Sequence, residues 1–137
     1  MPTLSRVYFQ TAILFLLAGI TMGLQMAITH DHSAMAAHAH VNLLGWVSSA
    51  IFGIYYAFNP AKAERRLAWL QYGAYTIGLI IMLPALFLML RGNAALEPVV
   101  AIGSLITAAA ILLFAVILFM PDPSVAAKTG PARAPAE

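Results

Sequence analysis

Four long apolar runs separated by short polar stretches set the pattern of this chain. The runs cover about 7–29, 37–58, 69–90 and 98–120, and each is long enough to cross a hydrocarbon core, which takes about 20 apolar residues. The separators are "HDHSAMAAHAH", whose last residues already enter the second run, then "NPAKAERRLA" and "RGNAALE". Connections this short make successive helices antiparallel neighbours. The pattern predicts an all-α membrane protein: four transmembrane helices in an up-down arrangement, forming one domain over 1–120. A polar, Pro/Ala-rich C-terminal tail follows over 121–137. The first run exceeds the roughly 7–15 residues of a signal-peptide core, so it reads as a true span.

Composition agrees with lipid as the solvent. Hydrophobic residues make up 62% of the 137 positions and charged residues 9%, against about 25% charged in an ordinary soluble domain. A chain this short cannot hide so much apolar surface from water. The absence of cysteine excludes disulfides, thiolate metal sites, iron–sulfur clusters and c-type haem attachment. The net charge of +2 is scattered over the connections rather than gathered into a nucleic-acid surface. With the N-terminus cytoplasmic, Arg6, Lys62, Arg65, Arg66, Lys128 and Arg133 fall on one side and only Arg91 on the other, as the positive-inside rule asks. Both termini are then cytoplasmic, and the histidine stretch faces the periplasmic side of an inner membrane. Gly19 and Gly23 in the first run, Gly45, Ser49 and Gly53 in the second, and Gly73 and Gly78 in the third mark close helix approach. Pro84 removes one backbone hydrogen bond from the third run and predicts a kink there.

All four histidines lie within residues 30–40. His38 and His40 are two positions apart, and a helix turns about 100° per residue, so they address nearly opposite faces. His38 shares a polar and small stripe with Asn42, Gly45 and Ser49. His40 shares an apolar wall with Leu44, Val47 and Ile51, which suits an axial bond to a flat apolar macrocycle, that is, haem. His30, Asp31 and His32 offer an N/N/O set for a second, divalent metal such as copper or zinc; a solvated loop explains the same residues. Met22, Met26 and Met35 read as apolar filler in preference to a soft copper path. Asp31, Glu64 and Glu97 are too scattered for paired-carboxylate chemistry.

The histidine stretch resembles haem–copper oxidase subunit I and the related nitric oxide reductases. In that superfamily a His-Asp pair at the outer end of a helix precedes a His-x-His on the same helix by eight residues. Here His30-Asp31 is followed by His38-Ala39-His40, and "HVNLLGWV" continues like the segment after a haem-ligating histidine. The resemblance implies that His38 serves a high-spin haem and His40 a low-spin haem, with the His-Asp pair near propionates and a non-redox metal. It covers about 25 residues strongly and the four-helix layout weakly. The family chain has twelve spans in three arcs of four; this chain has the length of one arc. It lacks the His-His pair and the His-Pro-Glu-Val-Tyr motif, so the family's copper centre has no counterpart.

The expected protein is therefore a stand-alone relative of one oxidase arc that binds b-type haem. Its work is electron transfer with a redox partner or diatomic gas binding, with oxidoreductase activity left open. His38, His40, Asn42 and Arg91 form the expected cofactor-binding set, Arg91 as a partner for a haem propionate. Two diverging histidines on one helix also suggest a homotrimer, in which His38 of one copy meets His40 of the next across a haem and the Gly45/Ser49/Gly53 row lets the copies approach. A dimer packed on Gly19/Gly23 is the alternative. The rival functions are a copper- or zinc-binding protein for delivery or sensing, and a structural or assembly subunit.

Overall fold

The computed structural model describes residues 1–121; all but the first residue of the tail expected over 121–137 lies outside the described residues, Lys128 and Arg133 with it. Helix α1 spans Thr3–Thr29, α2 Met35–Phe58, the short α3 Pro60–Ala63, α4 Arg66–Leu90 and α5 Glu97–Phe119. A 3₁₀ turn, Ala94–Leu96, leads into α5. Among the described residues the fold is all-helical, with four helices long and apolar enough to cross a membrane. α4 runs unbroken through Pro84. The middle of α2, Val41–Ser48, is a π-helix, which the sequence pattern did not announce.

Glycine decides where the helices close. A Cβ on Gly103 would stand 2.7 Å from the Met82 backbone nitrogen, and one on Gly78 would stand 2.5 Å from the Thr107 hydroxyl. α4 and α5 therefore touch backbone to backbone, and they form the most extensive helix pair. Between α1 and α2 the same device works through side chains: Phe15 lies over Gly45, and Tyr8 over Gly53. This corrects the expectation that Gly45, Ser49 and Gly53 serve a neighbouring copy, because the row is occupied by α1 of its own chain. Gly19 and Gly23 are likewise covered from within, by Asn42 and His38, so they are not a free dimer face.

Aromatic and polar side chains fill the half of the bundle that holds the start of α1 and the end of α5. Tyr8 donates to the Gln71 side-chain carbonyl, with the Tyr56 hydroxyl 3.4 Å from the same oxygen. Thr11 and Tyr72 hydroxyls are 2.8 Å apart. Lys62 is only 5% exposed. Its ammonium donates to the Ile117 and Leu118 carbonyls at 3.0 and 3.1 Å and to the Tyr55 hydroxyl at 2.9 Å. The sequence reading counted Lys62 as a loop charge; the structure makes it a cation closing the C-terminus of α5, where the helix dipole and the free carbonyls both favour it.

Candidate functional site

The two connections at the opposite end meet through a defined set of turns. α1 ends on His30 in the left-handed conformation, φ 55°, a region that histidine visits more readily than most side chains. Asp31 then closes a turn by accepting the Ser33 amide at 2.9 Å. α4 ends in a Schellman arrangement: Gly92, at φ 110°, donates to Met89, and Asn93 donates to Leu88. That geometry puts Arg91 over the Phe87 ring, 5.3 Å from its centre, and 3.4 Å from the Asp31 carboxylate. The Ser33 backbone amide foremost, then the Ser33 side chain and the Arg91 charge, hold Asp31 below the usual carboxylate range.

The histidines do not converge. His30 and His32 are exposed, and the His32 Nδ1 points back to the His30 carbonyl at 3.2 Å. Asp31 is committed to Ser33 and Arg91. Among the described residues no group of three or more His, Cys, Asp or Glu side chains could hold a metal ion. The expected second-metal set of His30, Asp31 and His32 is therefore not assembled.

His38 and His40 diverge as the helical geometry requires, and the structure adds which way each turns. His38 is half-buried against α1, with its Cε1 3.2 Å from where a Gly23 Cβ would stand. Asn42 packs beside it over Gly19 and donates to the His38 carbonyl at 2.9 Å. Both side chains lie in the α1–α2 seam. His40 faces outward, in the exposed stripe that also carries Leu43, Trp46 and Ile54. Its Nδ1 lies 2.7 Å from the Ala36 carbonyl oxygen. A carbonyl only accepts, so Nδ1 carries the proton and the Nε2 lone pair is free. This is the arrangement of a ligating histidine whose other nitrogen is anchored to the backbone. Ala39, Leu43 and Leu44 surround it as a shallow apolar hollow of about 160 Å³. Of the expected cofactor set, His40 fits haem ligation, Arg91 is a carboxylate binder, and His38 and Asn42 are seam residues.

Sequence reasoning missed Tyr75. It is fully buried on α4, and its hydroxyl donates to the Leu44 carbonyl at 2.9 Å, inside the π-helix one turn after His40. Ser48 similarly bonds the Leu43 carbonyl five residues back at 2.9 Å. These two hydroxyls serve carbonyls of the widened turns, where the α-helical ladder is interrupted. A π-segment beginning immediately after His40 often accompanies a functional site; its signal in the sequence, a buried Tyr on another helix, is visible only once the helices are paired. No family model, no curated protein and no solved structure matches this chain.

Proposed function

We propose that this chain is a membrane-embedded b-type haem protein, a stand-alone four-helix relative of one arc of oxidase subunit I, acting in electron transfer or diatomic gas binding. The observation that carries the reading is His40: Nδ1 anchored on Ala36, Nε2 free, and an apolar wall around it on the outer face of α2. Haem bound there supplies an iron centre for one-electron transfer or gas coordination. The chain's part is to hold the imidazole in one tautomer, to offer Leu43 and Leu44 to the macrocycle, and to exclude water from that face. Arg91, the only Lys or Arg at the histidine end among the described residues, binds a carboxylate in any case, and a propionate competes with Asp31 for it. Charge asymmetry supports an inner-membrane placement with cytoplasmic termini and periplasmic histidines.

A haem carried on a lipid-facing stripe is enclosed when a second copy covers it, and a closed cyclic trimer repeats one such heterologous contact. His38 takes no iron in this reading, because its ring is committed to Gly23.

The test is an absorbance spectrum of the detergent-solubilised protein from haem-replete cells, with metal analysis and native mass spectrometry. A Soret band with stoichiometric iron and three protomers is expected. Protein that carries copper or zinc and no haem absorption overturns the reading in favour of metal handling.

A further inference from the structure

The connection between α2 and α4 divides its charges between two sides. Lys62 turns to the last carbonyls of α5, and the Arg65 guanidinium lies 4.0 Å from the Met120 sulfur, beside the same helix end. Glu64, between them in sequence, instead lines a cleft of about 460 Å³ against the start of α1, with Thr3, Leu4, Ala63 and Trp69. The ion pair formed among the described residues joins Arg91 to Asp31 at the opposite end of the bundle. Glu64 is therefore unpaired among the described residues, although Arg6, Lys62, Arg65 and Arg66 all belong to its end. Two of these cations flank the cleft. Three-residue spacing puts Arg6 on the face of α1 that carries Thr3, and Arg66 on the face of α4 that carries Trp69. Both are exposed, and both are unpaired among the described residues.

We propose that this cleft seats the headgroup of a zwitterionic phospholipid with a primary ammonium, that is, a phosphatidylethanolamine. Its ammonium meets Glu64 and the Trp69 ring, and its phosphate lies between Arg6 and Arg66. Depth favours a lipid. Trp69 stands three residues into α4, about 4.5 Å along the axis, and an indole at a helix end marks the headgroup level. Further along the same helix Leu70 and Ile77 are exposed, so the mouth of the cleft opens on surface that acyl chains cover. Charge selects the headgroup. A lipid with a phosphate and no cation satisfies the arginines but leaves Glu64 without a partner. A quaternary ammonium has no N–H for the carboxylate, and one indole is not the aromatic cage that such a cation asks for. A primary ammonium donates to Glu64 in a charge-assisted bond. Each contact alone is a surface ion pair of small worth, but one molecule makes both, so the second forms at high effective concentration. The site lies away from the histidines and needs no haem.

The experiment is native mass spectrometry of the full chain in detergent, titrated separately with dioleoyl phosphatidylethanolamine, phosphatidylcholine and phosphatidylglycerol. The ethanolamine lipid binds about tenfold more tightly than either of the others, the worth of one charge-assisted hydrogen bond at an open site. Glu64→Gln keeps the shape of the side chain and removes its charge. It lowers ethanolamine affinity to the level of choline and leaves choline affinity unchanged. The Arg6→Gln/Arg66→Gln double variant weakens all three lipids. Equal affinity for the ethanolamine and choline lipids overturns the assignment, as does tightest binding of the glycerol lipid, which means that the cleft reads anionic charge alone. An ethanolamine preference that survives Glu64→Gln, or phosphate binding indifferent to the double variant, overturns it as well.

Discussion

The guanidinium of Arg91 lies 3.4 Å from the carboxylate of Asp31, tying the first connection of the chain to the third. Each partner is placed by its own local turn, Asp31 by Ser33 and Arg91 by the Gly92 Schellman end, so the pair closes without a long search by either side chain. Because Asp31 is held below the usual carboxylate range, its stabilising contribution is present above the ordinary carboxylate pKa. That contribution is lost as pH falls through the lowered value. Asp31→Asn therefore lowers the melting temperature of the detergent-solubilised protein at neutral pH, and the difference from the parent closes in acid. A difference that persists below the carboxylate range contradicts the assignment.

Lys62 and the end of α5 give a larger effect. Lys62→Met keeps the apolar stem but leaves the Leu118 carbonyl without its Lys62 donor and the Ile117 carbonyl with only the Met120 amide at 3.3 Å. An unpaired buried polar group costs about 1–3 kcal/mol, and the variant loses that much stability in a denaturant titration. Amide exchange rises in the last turn of α5 and stays unchanged at the histidine end.

Two glycines on α4 and α5 give opposite signs. Around Gly73 a Cβ meets nothing within 4 Å, so Gly73→Ala gains about 0.5–1 kcal/mol from reduced backbone freedom in the unfolded chain. At Gly103 the Cβ meets the Met82 backbone nitrogen and Cα at 2.7 and 2.8 Å. Neither of those atoms can step aside, and Gly103→Ala costs about 1–3 kcal/mol as overpacking. Thermal melts of the two variants side by side test whether the α4–α5 contact is as close as described.

Hydrophobic length made the four spans legible, because a bilayer admits few alternatives, and the helical turn angle made the divergence of His38 and His40 legible. Which histidine turns inward was not. That depends on the glycines of α1, which leave space for the His38 and Asn42 side chains, and a single sequence does not say which helix a glycine faces. Lys62 was misread for a related reason: its charge marked a loop, while its burial depends on carbonyls 55 residues away. The π-segment leaves no periodic signal of its own, since Ala37, Val41, Gly45 and Ser49 keep an unbroken buried stripe at four-residue spacing.

The two second-span histidines separate the haem reading from a structural one. His40 is exposed and bonds only its own helix, so His40→Ala changes stability by less than about 0.5 kcal/mol, as surface substitutions usually do. If His40 ligates haem, the same variant loses the Soret band. His38 behaves the other way. Its ring fills the space over Gly23, so His38→Ala opens a gap in the α1–α2 seam and costs about 1 kcal/mol, while the absorbance of the haem bound at His40 survives. Spectra and melts of both variants, prepared from the same haem-replete cells, give four readings in a fixed pattern. If His38→Ala loses the haem and His40→Ala keeps it, the iron lies in the α1–α2 seam and the outward stripe of α2 is ordinary lipid-facing surface.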